Sequence, residues 1–436
     1  MKIDIKGIFR RYKDSAFVGN TGWMMAERLF QMIISLIVGM LTARYLGPSN
    51  YGIINYVAAF IAFGLPICGL GLEGVLVKAY VDDKEKAGTA IGTAMLFEAV
   101  TSIITSIVIV FIVSLSNARD EVKTIVAMLE SLQLIFSSAT PIEFWYQSQL
   151  RSKYTSIIKM TAYTAMALYR VVLLILKKSV LWFAFATSGD LMIIAVLYLI
   201  LYFRQENPPL KIDLSVGKAL IDKSYHFILS GLMVVAYSQM DRIMLRHMMT
   251  DADVGLYSAA YNVCSLWFFI PTALIASARP VIMGAKNNDE KLYLRRLSQL
   301  YASVFWLGVA VALLVTFTSG FIIRILYGEG YEAASGSLSI GIWYGVFSQL
   351  GMARGVWILS ENKNRYVKYY LVWGAIVNLI LNFILIKAIG INGAALATLI
   401  TQFFTCMIAP VMYKETRIHT KIVIDAITLK WLAKKQ

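Results

Sequence analysis

Unbroken apolar stretches of more than twenty residues recur along this chain, and they constrain its fold more than any other feature. Gly22 to Leu46 is one such run, and about 20 helical residues are enough to span the hydrocarbon core of a bilayer. A soluble domain has about 25% charged residues, whereas this chain has 15% charged and 58% hydrophobic residues. The runs are continuous and do not alternate, which excludes a membrane β-barrel. The sequence therefore predicts an all-α, polytopic membrane protein.

Twelve segments of the chain are candidates for membrane-spanning helices. They are 22–46, 52–77, 88–115, 122–147, 154–176, 180–203, 225–249, 255–284, 297–319, 336–360, 366–388 and 391–413. A polar connection containing Asn207-Pro208-Pro209 follows the first six and precedes the other six, which is typical of a linker. We therefore expect five regions. They are an interfacial segment 1–21, an N-lobe 22–203, a linker 204–224, a C-lobe 225–413 and a basic tail 414–436.

The two predicted lobes resemble each other in sequence. Tyr51-Gly52 matches Val254-Gly255 at a spacing of 203 residues, and Trp145 matches Trp357 at a spacing of 212. Six helices per repeat would insert both halves in the same orientation, with a path for a substrate between the lobes. Chance matching of aromatic residues and glycines between apolar helices is the alternative.

Basic residues account for the formal net charge of +15. They concentrate in alternate loops, and the positive-inside rule then places both termini in the cytoplasm. The first 21 residues carry apolar and basic side chains on a short helical pattern, which suits contact with anionic membrane lipids. The chain lacks a basic module rich in aromatic residues, so nucleic acid is not an expected partner.

Signatures of soluble enzymes are missing from the sequence. There is no phosphate-binding loop, and the three histidines and three cysteines show no spacing suited to a metal. Cys68, Cys264 and Cys406 each lie in an apolar helix, where inert packing is the usual role. We expect no catalytic residues, no bound metal and no cofactor, and so a protein that is not an enzyme.

Several arginines lie inside the predicted spans, where a charge costs about 2.5–3.5 kcal/mol on insertion scales. Guanidinium groups bind phosphate through paired hydrogen bonds and stay charged when buried, so arginines around a cavity suit a diphosphate ligand. The candidates for substrate binding are Arg28, Arg242, Arg354 and Arg170. The alternative is that some of these arginines only neutralise neighbouring acids.

Acidic residues in the spans are candidates for coupling transport to an ion gradient. Glu27, Glu73 and Asp241 are the ones we expect to carry a proton or a cation such as sodium. The alternative for each is a structural charge paired with a basic neighbour. Without a nucleotide site, uphill transport would have to be driven by an ion gradient, by the membrane potential or by consumption of the product.

Three stretches of the sequence resemble one known family. They are LTARYLGPSNYGIINYVAAF, QMDRIMLRHMMTDADVGLYSAAYNV and LSENKNRYVKYYLVWGAIVNLILNFILIKAIGINGAALATLIT. The chain is similar to the polysaccharide-transporter branch of the multidrug/oligosaccharidyl-lipid/polysaccharide exporter superfamily, which includes Wzx-type O-antigen flippases. The most specific of these motifs are Leu46-Gly47-Pro48 with Tyr51-Gly52, Asp241-Arg242, Gly255-Leu256-Tyr257, and Gly390 through Thr398.

The resemblance implies a two-lobed flippase in a bacterial inner membrane. It would move undecaprenyl-diphosphate-linked sugar repeat units from the cytoplasmic to the periplasmic leaflet by alternating access, in lipopolysaccharide or other polysaccharide biosynthesis. A polysaccharide polymerase and its chain-length machinery would then be partners. A cation-coupled multidrug antiporter of the same superfamily and a membrane enzyme acting on lipid-linked sugars are the alternatives.

Overall fold

The computed structural model describes residues 16–286 and 289–430, and the regular elements among them are helices. The α-helices are α1 Ala16–Cys68, α2 Glu73–Asp82, α3 Ala87–Ser116, α4 Glu121–Ser137, α5 Thr140–Ser148, α6 Ser152–Ile175, α7 Val180–Arg204, α8 Leu214–Met248, α9 Asp251–Ser265, α10 Phe269–Lys286, α11 Glu290–Tyr327, α12 Ala334–Ser360, α13 Val367–Phe403 and α14 Arg417–Ile427. Short 3₁₀ or π-helical turns lie at Leu266–Phe268, Asn364–Tyr366, Phe404–Ile408 and Ala409–Met412. Most of the predicted interfacial segment 1–21 lies outside the described residues.

Two of the long helices contain a glycine whose backbone leaves the helical region. In α1, Gly47 has φ of 71° and ψ of 169°, and in α13 Gly390 has φ of 61° and ψ of −136°. Glycine adopts positive φ readily because it lacks a Cβ. Pro48 follows Gly47 and suits the first position of a new helix. Each of these two elements is therefore a pair of helices joined at a glycine.

The described chain contains nine segments that are long and apolar enough to cross a membrane. The first of them, Gly19–Asp82, and the last, Asn364–Met412, each include one of the glycine breaks and so hold two long helices, and the first also includes α2. Helix α12 adds a further candidate, because its 27 residues also reach across a bilayer core. The predicted number of twelve spans stays a prediction. The prediction of an all-α polytopic membrane protein is confirmed.

Two predicted spans are interrupted in the structure. The span predicted at 52–77 ends at Cys68, because Leu70 and Gly71 take φ of 49° and 64° and turn the chain before α2 begins. The span predicted at 122–147 is divided into α4 and α5. At this division Ser137 and Ser138 donate side-chain hydrogen bonds to the carbonyls three residues earlier, which competes with continued helix formation.

The predicted linker 204–224 is shorter in the structure, because α8 begins at Leu214. The segment before α8 packs along α3: the backbone N–H of Asp213 donates to Thr93 Oγ1 at 3.0 Å. A Cβ on Gly92 would lie 2.5 Å from the carbonyl oxygen of Lys211, so only glycine permits this approach. The connection is therefore a packed segment.

The packing of the backbone divides the chain into two units. Unit 1 comprises the described residues up to Leu46 together with Val57–Leu232, and unit 2 comprises Gly47–Tyr56 together with the described residues from Met233 onward. The division between the two units falls within α8 and does not coincide with the predicted linker. Tyr80, Tyr146 and Tyr198 are buried in the core of unit 1.

The described part of the predicted basic tail 414–436 is mostly the helix α14. His419, Thr420, Val423 and Ala426 recur at helical spacing and are buried. They give α14 one face that packs on the core of unit 2, beside Tyr301 and Trp357. This stretch is a docked helix, and residues 431–436 lie outside the described residues.

Candidate functional site

A buried polar site in unit 2 is centred on Asp241, in α8. Its side chain is 1% exposed. Tyr257 Oη donates to Asp241 Oδ2 at 2.5 Å and Thr398 Oγ1 donates to the same oxygen at 2.6 Å. Asn382 Nδ2 donates to Asp241 Oδ1 at 2.5 Å. Among the described residues, the side chains that contact this carboxylate are therefore all neutral.

Two asparagines of α13 extend the site. Asn378 and Asn382 are one helical turn apart, so they share a face of the helix. Asn382 Nδ2 also donates to Asn378 Oδ1 at 3.0 Å. Asn382 Oδ1 and Asn378 Nδ2 are buried without a hydrogen-bond partner among the described residues. We call Asp241, Tyr257, Asn378, Asn382 and Thr398 the Asp241 cluster.

The Asp241 cluster is suited to a proton or to a hard monovalent cation. It brings together the oxygen atoms of one carboxylate, two hydroxyls and two amides, which are ligands that hard cations accept. A buried carboxylate costs free energy unless hydrogen bonds or a positive charge compensate it. Three neutral donors reduce that cost but leave one net negative charge at the site.

Four of the five members of the Asp241 cluster were not among the residues expected from the sequence. Tyr257, Asn378, Asn382 and Thr398 come from three separate segments of the chain, which only the fold brings together. One signal was present in the sequence. Two asparagines four residues apart in an apolar helix mark a polar face at membrane depth, which is usually functional.

Arg242 is adjacent to Asp241 in sequence, but its side chain has other contacts. Its Nε donates to Ser258 Oγ at 3.1 Å, and its Nη1 donates to Gln239 Oε1. The guanidinium also lies over the ring of Tyr261, 5.1 Å from the ring centroid. Arg242 is 8% exposed. Its positive charge is therefore held inside unit 2 by neutral partners.

Arg354 is also held in unit 2 by neutral groups. Its Nη1 donates to the carbonyl oxygen of Thr405 at 2.6 Å, and its guanidinium lies 4.5 Å from the ring centroid of Tyr370. Its Nε is buried without a hydrogen-bond partner among the described residues. The Nε donor of this guanidinium is therefore unused by the described residues.

The two candidate arginines of unit 1 differ in their surroundings. Arg170 Nη2 contacts Asp190 Oδ2 at 3.1 Å and donates to the carbonyl oxygen of Ala186 at 2.8 Å. Arg28 has an exposed side chain. Arg170 is thus partly committed to a structural ion pair, whereas Arg28 is accessible at the surface of unit 1.

Glu27 lies within a group of charges in unit 1. It is 6% exposed, and Lys159, Glu143 and Arg28 are the charged groups that act on it. Lys159 Nζ contacts Glu143 Oε1 at 2.5 Å, and Tyr198 Oη donates to Glu143 Oε2 at 3.1 Å. One lysine therefore lies close to two carboxylates, which is an arrangement that can exchange a proton.

Glu73 was expected within a span, but the structure places it elsewhere. It is the first residue of α2, and its side chain is exposed. The reason is the turn at Leu70 and Gly71, which ends the preceding helix before Glu73 is reached. Its expected role in ion coupling stays a prediction, now for a residue at a helix terminus.

The described residues contain no group of three or more His, Cys, Asp or Glu side chains that could hold a metal ion. Cys68, Cys264 and Cys406 are free and buried. Their burial is consistent with a role in packing.

A family model described as polysaccharide biosynthesis protein matches residues 17–285, which is more than half of the chain. Two curated proteins of Haloferax volcanii are similar over a shorter stretch. The probable flippase AglR is 26% identical over 184 residues, or 42% of this chain and 39% of that protein. The probable low-salt glycan biosynthesis flippase Agl15 is 25% identical over the same shares of the two chains. The match thus spans about two fifths of the length of these relatives.

Solved structures share the fold over nearly the whole chain. An inward-facing multidrug resistance MATE family transporter of the MOP superfamily has a TM-score of 0.68 at 14% identity, covering 91% of this chain and 96% of that one. The lipid II flippase MurJ has a TM-score of 0.64 at 16% identity, covering 94% of this chain and 92% of that one. At these identities the likeness is one of fold.

Proposed function

Because the chain belongs to the polysaccharide biosynthesis protein family, we propose that it is a flippase that moves a lipid-linked oligosaccharide across a membrane. The match of the family model to residues 17–285 is the observation that carries this proposal. The names of the two Haloferax volcanii relatives support the same activity. The many apolar helices fit a protein that works within the bilayer.

The substrate that we propose is a sugar repeat unit on undecaprenyl diphosphate, moved from the cytoplasmic to the periplasmic leaflet of a bacterial inner membrane. A diphosphate requires positive charge at membrane depth, and arginine supplies it with paired donors. Arg28 is exposed, and the Nε donor of Arg354 is unpaired, so these two are the most available of the four candidate arginines. Arg242 and Arg170 would have to exchange present contacts for the ligand.

We propose further that the Asp241 cluster carries the coupling ion. The carboxylate is buried, its contacts are neutral, and amide and hydroxyl oxygens surround it. A cation or proton bound there would remove the net charge, and its release would restore it. Such a change in buried charge gives the two states of the site different energies, which a transport cycle requires.

Glu27 is a second candidate for a proton, in unit 1. Its neighbours Lys159 and Glu143 already form an ion pair, so a proton on Glu27 would change the balance of charge in that group. Glu73 is less suited to this role because it is exposed.

Transport can be measured with purified protein in proteoliposomes that contain a fluorescent, short-chain lipid diphosphate oligosaccharide. We expect the labelled lipid to become accessible to an impermeant quencher at a rate that depends on the protein. The same lipid without its diphosphate should move more slowly, because the arginines would lose their ligand. Equal rates with and without the protein would refute the proposal.

A cation-coupled multidrug antiporter is the second candidate, favoured by the fold likeness to the MATE family transporter. Efflux of cationic dyes from the same proteoliposomes distinguishes the two functions. Dye efflux driven by a sodium or proton gradient, with no movement of the labelled lipid, would favour the antiporter. Cleavage or transfer of the sugars by the purified protein would instead support a membrane enzyme.

A further inference from the structure

A cavity with four polar side chains in its lining lies in unit 1, apart from every residue assigned above to ion coupling except Glu73. Its volume is about 240 Å³. It is enclosed by the end of α1, the turn before α2, the middle of α3 and the junction of α4 with α5. The polar residues that line it are Glu73, Glu98, Ser137 and Thr140.

Glu98 is the buried acid of this cavity. It lies in α3, and its side chain is 3% exposed. Among the described residues its carboxylate has no hydrogen bond and no ion pair, and the contact from Thr101 Oγ1 goes to its backbone carbonyl. A carboxylate in this position costs free energy unless a proton or a positive charge accompanies it. The cavity is the space from which such a partner would come.

The two hydroxyl groups that line the cavity already donate hydrogen bonds to backbone carbonyls. Ser137 Oγ donates to the carbonyl oxygen of Leu134 at 2.6 Å, and Thr140 Oγ1 donates to the carbonyl oxygen of Ser137 at 2.5 Å. Each hydroxyl oxygen keeps lone pairs that can accept. The two groups are therefore unable to satisfy Glu98 as donors in this arrangement, but they can act as ligands to a cation.

The remaining neighbours of Glu98 do not supply a positive charge. The lining residues include no lysine, arginine or histidine. Tyr80 Oη, which is close enough to Glu98 for their charges to interact, donates to the carbonyl oxygen of Pro141 at 3.4 Å. Glu73 adds a second carboxylate at an exposed position. The cavity therefore presents acceptors and negative charge, which excludes an anionic ligand.

We propose that this cavity is a binding site for a hard monovalent cation of the sodium class, with Glu98 as its charged ligand and Ser137 and Thr140 as neutral oxygen ligands. One buried carboxylate balances one positive charge, whereas a divalent ion would require more carboxylates at the buried end. The volume leaves room for water to complete the coordination. The proposal concerns binding and stands whichever substrate the protein carries.

The experiment uses the full chain in detergent and separates this site from the Asp241 cluster. Binding of ²²Na⁺ is measured at constant ionic strength for Asp241→Asn, for Glu98→Gln and for the double variant. We expect Asp241→Asn to retain saturable binding, and the addition of Glu98→Gln to weaken it at least tenfold. Glu85→Gln is the matched control, because Glu85 is exposed in the loop between α2 and α3, and it should leave binding unchanged.

The neutral ligands give a graded test. Thr140→Val in the Asp241→Asn background should weaken ²²Na⁺ binding several-fold, while Thr140→Ser should retain it. If Asp241→Asn alone abolishes saturable binding, or if the double variant binds as Asp241→Asn does, the proposed site is refuted. Failure of lipid transport with binding intact would refute the proposed function and leave this site standing.

A second measurement needs no variant and so does not depend on the folding of Glu98→Gln. Dicyclohexylcarbodiimide modifies buried carboxyl groups, and mass spectrometry reports the modified residue. We expect Na⁺ to protect Glu98 in the unmodified protein, with choline at equal concentration giving no protection. Labelling of Glu98 that changes with pH but not with Na⁺ would show a protonation site only and would overturn the proposal.

Discussion

Gly52 and Gly255 lie at a close contact between two helices, and each glycine packs against the first residues of the other's helix. A Cβ on Gly52 would lie 1.7 Å from the carbonyl oxygen of Asp251, and a Cβ on Gly255 would lie 2.0 Å from that of Pro48. The same spacing of 203 residues relates Gly52 to Gly255 and Pro48 to Asp251. Each of these two backbone segments therefore contacts the other.

Substitution of Gly52 by Ala should destabilise the protein. The added methyl group would overlap backbone atoms, which cannot move away by a change of side-chain rotamer. We expect the free energy of unfolding to fall by about 1–3 kcal/mol, the range for overpacked interiors. Thermal unfolding in detergent measures it. Gly39→Ala is the matched control, since a Cβ there meets nothing within 4 Å, and it should be neutral or slightly stabilising. Equal midpoints for both variants would contradict the reciprocal contact.

Removal of one donor from the Asp241 cluster should leave a buried carboxylate under-satisfied. Thr398→Val should lower the free energy of unfolding by about 1–3 kcal/mol, the usual cost of an unmade hydrogen bond in an interior. Thr398→Ser keeps the donor and should restore stability. Asp241→Asn removes the charge, and we expect transport in proteoliposomes to lose its dependence on the ion gradient. Unchanged gradient dependence would remove Asp241 from the coupling mechanism.

Glu130 provides a test of buried charge away from the proposed sites. It is 0% exposed, and neither carboxylate oxygen has a hydrogen-bond partner among the described residues. Glu130→Met should therefore raise the free energy of unfolding by about 1–3 kcal/mol. The same substitution at Glu143 should lower stability, because Lys159 would lose its partner. Opposite signs for the two variants in thermal unfolding are the expected result, and equal signs would contradict it.

The stability of the docked helix α14 should depend on pH through His419. Burial of the ring holds the pKa of His419 well below its usual 6.5, and the nearby Arg354 acts in the same direction. The unfolded chain therefore takes up a proton below about pH 6.5 while the folded protein does not. Stability should fall with decreasing pH in that range, by up to about 1.4 kcal/mol per pH unit from this group.

His419→Gln removes the titrating group and should flatten the pH dependence of the unfolding midpoint between about pH 6.5 and pH 5. His226→Gln is the control, since His226 has an exposed side chain. A pH profile that stays the same after His419→Gln would show that another group is responsible.

Arg28 and Arg170 should respond differently to substitution. Arg28 is exposed, so Arg28→Ala should keep normal protein abundance and slow the movement of the lipid diphosphate, by tenfold or more if it binds the substrate. Arg170 is paired with Asp190, so Arg170→Ala should reduce abundance or the unfolding midpoint. Full activity of Arg28→Ala would exclude that arginine from the substrate site.

Helix formation and membrane insertion could be predicted from the sequence because both depend on local properties. The length of an apolar run and the position of glycine and proline act within a few turns, as at Gly47-Pro48. The break at Leu70 was missed because apolar residues continue through it, whereas the break at Ser137–Thr140 falls on polar residues inside the predicted span 122–147. At these points backbone conformation and local side-chain hydrogen bonds interrupt helices that composition alone would continue.

The sequence by itself determined that this chain is a helical membrane protein with charges held at membrane depth, since hydropathy and charge are additive along a chain. Only the tertiary structure decided the surroundings of those charges. Asp241 and Thr398 are 157 residues apart yet share a hydrogen bond, and Arg170 is paired with Asp190. Such contacts depend on which helix faces pack together, and no local pattern specifies that choice.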